Sequence, residues 1–369
     1  MEDRRIKILH LIGNASLGGV AACLLNYFRF TDKSNFRFDF VTYGKSGFDA
    51  RVEEIDPTSR IYTIPSFEKN PLGARRALYK ACLSDNYAVF HSHMTTLSAL
   101  ALPCAAKAEI PVRICHAHSA FDKNSDKYIV KKLLRPWAAS KATHYMACSE
   151  HAARNLFRKK ADQAFILPNA IDLHHFSCNE QDRLDLRKKF SLTDKTVLFT
   201  GRFVYQKNLF FLLEAFSKAC EKEPMTLVLV GDGKDKPALQ TAAKDLGIAS
   251  KVRFIPPCDP ADWYKAADVF CLPSRYEGLG MVAVEAQAAG LPCILSYDVP
   301  DEADVSGKSV FLPTSDPSLW AEKIVAIKKR NTADFSSPEF SAFDIRKQAH
   351  LLGDFYAHAL KRNLNEGIF

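Results

Sequence analysis

The stretch DVFCLPSRYEGLGMVAVEAQAAGLPCILS, residues 268 to 296, decides how the chain folds. An apolar run, DVFCLPS, ends on a glycine-rich turn. A helix-length, Ala-rich segment starts near Gly280 and is stopped by Gly290-Leu291-Pro292, after which a second apolar run, PCILS, begins. Strand, helix and strand joined by short turns make a βαβ unit, whose two strands lie parallel in one sheet. Within it two glutamates stand eight positions apart: Glu277 on the turn, and Glu285 about a turn and a half into the helix.

The same alternation runs along almost the whole chain. Strands are predicted at IKILHLIG, FRFDFVTYG, RIYTIP, YAVFHSH, VRICHAHS, THYMACS and AFILPN, and again at TVLFTGRF, TLVLVGDG, VRFIP, DVFCLPS, PCILS and SVFLP. Several are apolar at consecutive positions, as strands covered on both faces must be. Between the two sets a polar, helix-like segment over about 171–195 reads as a connector. This divides the 369 residues into a first Rossmann-like α/β domain over 1–170 and a second over 196–344. A terminal helix over about 345–369 has no strand to follow it and is expected to pack back on the first domain. Two doubly wound parallel-sheet domains facing across a cleft would bind a ligand at the carboxyl ends of their strands.

No apolar stretch approaches the ~18 residues of a membrane span, and the short run after MEDRRIK continues into a Gly-Gly turn, so it reads as a first strand rather than a signal peptide. The ten cysteines are scattered without a C-x-x-C pair, which suits a reduced, cytoplasmic protein. The net charge of +8 is uneven: residues 1–168 hold 25 Lys and Arg against 15 Asp and Glu, and the rest hold 25 against 27. The basic half carries no nucleic-acid-binding motif, so nucleic acid is not an expected partner.

At the end of the first strand of the second set, TGRFVYQKN places Arg202 and Lys207 where two cations can face one anion, although solvated surface charge is the ordinary fate of such residues. VGDG, Gly231 to Gly233, follows the next strand, where glycine lets the backbone bend sharply or approach a ligand closely. Backbone N–H groups of Gly278, Leu279, Gly280 and Met281, around the start of the helix in the opening stretch, would point at an anion such as phosphate. Glu277 can then hydrogen-bond hydroxyls on whatever the phosphate carries, and Glu285 can accept from the paired hydroxyls of a ribose.

E-x7-E in SRYEGLGMVAVE, GR-x4-K in TGRFVYQKN, VGDG-x4-L and PNAID at Pro168 to Asp172, taken together and in order, resemble the family 4 retaining glycosyltransferases of the GT-B fold. The similarity is to the bacterial branch that builds capsular polysaccharide and exopolysaccharide. It implies transfer of a sugar from a nucleotide diphosphate sugar, UDP-linked, to a saccharide acceptor, lipid-linked in this branch, with no metal cofactor. Arg202 and Lys207 resemble the pair that holds the donor diphosphate and stabilises the leaving phosphate. Glu277 resembles the residue facing the transferred sugar and Glu285 the ribose ligand. The amides of Gly278 to Met281, with Gly18, Gly19 and Gly231, fall on the donor side, and Asn169 on the acceptor side. In VRICHAHS, His118 fits the histidine lining the sugar and acceptor site, with His116 as competitor. The chain departs from the family at Ala21, where many members carry glutamate, and at Ala170, where PNGID is commoner.

Metal independence has its own support, because no D-x-D occurs to hold a divalent ion, so cations and a helix N-terminus must do that work. HSH (His91, His93) and HAH (His116, His118) put each pair on one strand face, but no nearby carboxylate or Cys pair completes a zinc set. For the acceptor, DKYIVKKLLRPWAASKATHY interleaves Lys127, Lys131, Lys132, Arg135 and Lys141 with Tyr128, Leu133, Leu134 and Trp137. That pattern suits an amphipathic helix lying on an anionic membrane, or an ordinary helix with one charged face. The placement would be peripheral, on the inner face of the cell membrane. Two other functions fit the same residues: a GT-B sugar-nucleotide epimerase or hydrolase, and an inactive nucleotide-sugar-binding partner of a polysaccharide assembly complex.

Overall fold

The computed structural model describes residues 3–15, 19–118, 128–330 and 333–365. The chain forms two compact units, 1–171 with 342–369, and 172–341.

The first unit contains β1 (Ile6–Gly13), α1 (Gly19–Phe30), β2 (Phe36–Thr42), α2 (Gly47–Ile55), β3 (Ile61–Thr63), α3 (Pro71–Cys82), β4 (Val89–Ser92), α4 (Ser98–Lys107), β5 (Val112–Ala117), α5 (Tyr128–Leu134), β6 (His144–Ala147), α6 (Glu150–Phe157) and β7 (Ala164–Ile166), and it closes with the C-terminal helix Ile345–Asn365. Its seven strands are all parallel, in the order β3-β2-β1-β4-β5-β6-β7. Both faces of this sheet are covered, which is why β2 is buried at every position. Alternation along β1 sends Leu9 and Leu11 into the apolar layer shared with α3, α4 and α6. Ile8 and Ile12 go into the layer shared with α1, α2 and the C-terminal helix. Among the described residues the amphipathic pattern around Tyr128 gives a helix of seven residues. Pro136, with no N–H to donate, sits in a 3₁₀ turn, Arg135–Trp137, that ends it, and Lys127 lies outside the described residues.

The second unit contains α7 (Leu173–Phe176), α8 (Glu180–Lys189), β8 (Lys195–Thr200), α9 (Leu209–Cys220), β9 (Met225–Val230), α10 (Lys236–Asp245), β10 (Val252–Ile255), α11 (Ala261–Ala266), β11 (Val269–Leu272), α12 (Met281–Ala288), β12 (Cys293–Ser296), β13 (Val310–Leu312), α13 (Pro317–Ala326) and α14 (Pro338–Ser341). Its six parallel strands run β10-β9-β8-β11-β12-β13. The polar segment after residue 171 packs within this unit: α8 lies on α11, and Arg183 and Arg187 both bind Asp268, at 2.5 and 2.9 Å. In each sheet the strand order reverses once, between β1 and β4 and between β8 and β11. At such a reversal two neighbouring connections leave in opposite directions and open a crevice at the carboxyl ends.

Candidate active site

The reversal in the second unit brings together the loop after β8 and the loop after β11. The Lys207 ammonium lies 2.5 Å from Oε1 of Glu277, and the same oxygen accepts from the Ser274 hydroxyl at 2.6 Å. Both charged side chains are largely enclosed, 11% and 7% exposed. Three further bonds lace the two loops. The Arg275 amide donates to the Gln206 carbonyl (2.8 Å), the Gln206 amide group to the Tyr276 carbonyl (2.9 Å), and the Arg275 guanidinium to Oδ1 of Asn208 (2.8 Å). Arg275 also lies over the Tyr205 ring, 4.5 Å from its centroid. Asn208 is buried with a left-handed backbone, φ 54°, a conformation asparagine tolerates better than most residues. It therefore turns the chain into α9 while offering its side chain to Arg275. Arg202 is exposed on the same loop.

Gly280, at φ 84°, is the N-cap residue of α12 and makes no side-chain cap, so the first amides of that helix face outward beside Gly278 and Leu279. Glu285 sits within the second turn of α12. Its Oε2 accepts from the Tyr264 hydroxyl at 2.9 Å, and that hydroxyl is 2.5 Å from Oγ1 of Thr200. Burial raises the Glu285 carboxyl from 4.5 to about 7, against the opposing pull of Tyr264. Gly231 serves the protein's own backbone. A Cβ there would collide with the carbonyl oxygen of Gly201, and one at Gly233 with that of Phe203. A cavity of about 780 Å³ in this unit lies instead at the amino ends of the strands. Several of the charges lining it are paired with one another, Arg183 and Arg187 with Asp268, Lys195 and Lys328 with Glu223.

In the first unit the two histidine pairs meet each other and a fifth ring, His10 of β1. His10 Nδ1 is 3.0 Å from His93 Nε2, whose Nδ1 is 2.7 Å from His118 Nε2. Alongside, the Tyr356 hydroxyl is 2.7 Å from His91 Nδ1, whose Nε2 is 3.0 Å from His116 Nδ1. Burial holds all five imidazoles below their ordinary range, His10 at about 3 and His118 at about 4. The expectation that neither pair finds completing ligands is corrected in part: His10, His91 and His93, and also His93, His116 and His118, bring nitrogens within 4.8 Å of one another, because β1, β4 and β5 are neighbours in the sheet. Asn169 accepts from the Cys23 thiol at 3.2 Å, and Ala21 and Ala170 are buried. Gly19 opens α1 with open space where a Cβ would stand, and Gly18 lies outside the described residues.

Sequence reading missed Ser274, Arg275, Tyr264, Thr200, His10 and Tyr356. Ser274 and Arg275 lie inside SRYEG and Thr200 opens TGRFVYQKN, whereas Tyr264, His10 and Tyr356 lie in no motif.

Residues 17–175 match the family described as Glycosyltransferase Family 4, and residues 181–334 the family described as Glycosyl transferases group 1. Over 338 residues the chain is 31% identical to EpsF of Bacillus subtilis, a protein named as a glycosyltransferase, with 88% of each covered. It is 27% identical over 313 residues to the UDP-Gal:alpha-D-GlcNAc-diphosphoundecaprenol alpha-1,3-galactosyltransferase of Escherichia coli, with 79% of each covered. Among solved structures, Anabaena HepE in complex with UDP superposes with a TM-score of 0.78 at 16% identity, covering 96% of this chain and 100% of that one, a likeness of fold. The chain belongs to the family 4 glycosyltransferases of the GT-B fold.

Proposed function

We propose that this glycosyltransferase moves a sugar from a UDP-sugar to a saccharide carried on a lipid diphosphate, with retention of configuration and without a metal, in the synthesis of a surface polysaccharide. The observation that carries the reading is the Lys207–Glu277–Ser274 cluster beside the open amides of α12. A diphosphate laid on those amides meets the Lys207 ammonium, which has three N–H groups and can serve Glu277 and a phosphate oxygen together. Negative charge grows on that phosphate as the glycosidic bond breaks, and Lys207 and Arg202 stabilise it where an ion would otherwise be needed. Glu277, anchored from two sides, presents its other oxygen to the hydroxyls of the sugar. UDP in the matching HepE structure and the lipid diphosphate acceptor in the name of the E. coli relative support the choice of substrates.

UDP release from a panel of UDP-sugars, with and without a lipid-linked acceptor fraction, tests the proposal. Acceptor-dependent release is expected and should survive EDTA. Release without acceptor would make the chain an epimerase or hydrolase, binding without release would make it a non-catalytic partner, and loss in EDTA restored by Mg²⁺ or Mn²⁺ would end the metal-free reading.

For Glu285 the reading carries a pH dependence. A carboxyl raised from 4.5 to about 7 favours the folded state below pH 4.5, and that contribution is lost as pH rises through about 7. A ribose that donates two hydroxyls prefers the ionised form, so donor binding and deprotonation help one another. The thermal stabilisation given by UDP is therefore expected to grow between pH 6 and pH 8 in the wild type, and to be flat with pH in Glu285→Gln.

Acceptor access is assigned to the surface of α5. Ile129, Leu133 and Trp137 are 72%, 63% and 60% exposed, beside Lys132 and Arg135. Among the described residues no helix is long and apolar enough to cross a membrane, so contact with lipid would be made by such a surface. The protein should float with vesicles containing anionic lipid, and Lys131→Glu, Lys132→Glu and Arg135→Glu together should release it. A wild type that stays in solution at low salt would leave α5 an ordinary solvated helix.

A further inference from the structure

The five buried histidines form two hydrogen-bonded files, and each file ends on a ring nitrogen with nothing to bond. Among the described residues His10 Nε2, His116 Nε2 and His118 Nδ1 are enclosed and without a partner. All five rings are neutral at pH 7, so each carries a single N–H. His93 has both nitrogens engaged, and it must therefore donate to one neighbour and accept from the other. The whole file His10–His93–His118 then runs in one direction.

Either direction leaves one N–H over, and the two ends differ in where it would lie. His10 is wholly enclosed, its ring 4.4 Å from Phe38 and 5.6 Å from Phe40, where no acceptor can arrive. His118 keeps part of its ring exposed at the end of β5, so it is the end of the file that lies toward the surface, although Nδ1 itself is enclosed while no ligand is bound. A buried donor without an acceptor is costly, so the surplus N–H belongs at His118. The second file takes its direction from its hydroxyl. The hydroxyl of Tyr356 is fully buried and has the His91 ring to donate to, which makes His91 donate onward from Nε2 and leaves the surplus N–H on Nε2 of His116. The rings of His116 and His118 stack at 3.9 Å.

We propose that His10 and His93 are positioning residues that hold His118 as an Nδ1–H donor toward an oxygen of the bound substrate, while Tyr356 and His91 in parallel fix the tautomer of His116, whose ring stacks on His118. This rests on the glycosyltransferase reading for the identity of that substrate, a saccharide hydroxyl, but not for the direction of the files. His118 then acts as a neutral donor that cannot serve as a base at the nitrogen it presents. A zinc ion is a poorer occupant of the cluster. Two nitrogens on one tetrahedral zinc stand about 3.3 Å apart, from Zn–N distances of ~2.0–2.1 Å, whereas His93 and His118 approach to 2.7 Å, a hydrogen-bond length.

Long-range ¹H–¹⁵N spectra of the ¹⁵N-histidine protein at pH 7.5 read each tautomer without any turnover. His10, His93 and His118 should be protonated on Nδ1, and His91 and His116 on Nε2. His93→Leu should free the His118 tautomer and lower kcat about tenfold, the worth of one hydrogen bond, with the donor KM little changed. His93→Asn, whose amide can donate from near the Nδ1 position, should recover most of the rate. Nε2 protonation of His118 in the wild type, an unchanged tautomer and kcat in His93→Leu, or one equivalent of zinc retained through dialysis would each overturn the proposal. Because the tautomers are read on the resting protein, a chain that transferred no sugar would fail the functional reading and leave this assignment to stand or fall by its spectra.

Discussion

Lys207→Ala is expected to lower kcat by roughly a hundred- to a thousandfold, the ~3–4 kcal/mol that one preorganised donor to a developing charge supplies. Donor KM should move much less, because the charge on the leaving phosphate grows only as the bond breaks. Arg202→Ala should match that loss. The two variants part in stability. Arg202 is exposed and its removal should leave the melting temperature unchanged. Taking away Lys207 strands the enclosed carboxylate of Glu277 with Ser274 alone, which should cost about 2–3 kcal/mol, less than the ~3–5 of a fully buried pair because both partners keep some water. Lys207→Ala with Glu277→Gln should then recover the stability and none of the turnover. Glu285→Ala provides the contrast: its loss should fall on KM, since a ribose contact is made equally before and during bond breaking. A Lys207→Ala enzyme with near wild-type kcat would show that the leaving group lies elsewhere.

Gly231→Ala should be the most damaging single methyl in the second unit. The position has φ 145°, and the added carbon would collide with the Gly201 carbonyl oxygen, so the loops after β8 and β9 must part. With them would go the bond from the Gly201 amide to Val230 and the bond from the Phe203 amide to Asp232. A destabilisation above about 3 kcal/mol is expected, and because Arg202 lies between the two displaced amides, kcat should fall as well. Gly278→Ala is the control, with open space around the new carbon, and it should unfold at the wild-type denaturant concentration. If the two variants melt alike, the close approach at Gly231 is not a constraint on the fold.

Gly231 illustrates what sequence can carry and what it cannot. A glycine after a strand announces that something comes close, and only the folded chain says that it is the neighbouring loop rather than a ligand. The thirteen strands were legible because each is an apolar run bounded by turn residues, a signal that sits within a few positions. The grouping of Lys207 with Glu277 was legible in outline, since both fall at strand ends on either side of the order reversal. Tyr264 was not, because its hydroxyl reaches Glu285 from an otherwise unremarked short helix. Neither was Tyr356, which meets His91 across 265 residues. The histidine pairs showed their shared face by alternation, but that β1 would add His10 follows from strand order, which no local pattern encodes. The basic apolar segment around Tyr128 likewise promised more helix than Pro136 allows.

The C-terminal helix also sets a timetable. It contributes Ile345, Ala349, Leu352, Tyr356 and Ala359 to one apolar layer of the first unit, and the bridge between Ile171 and Asp344 ties its start to the end of that unit's earlier chain. The second unit is contiguous, 172–341, and is complete as soon as it has left the ribosome. The first unit must wait for the whole of the second to be made. At ~5–20 residues per second that delay is roughly ten to thirty seconds, during which one side of the seven-stranded sheet is covered by α1 and α2 alone. A newborn molecule would therefore pass through a stage in which its later half is native and its earlier half is a client for chaperones.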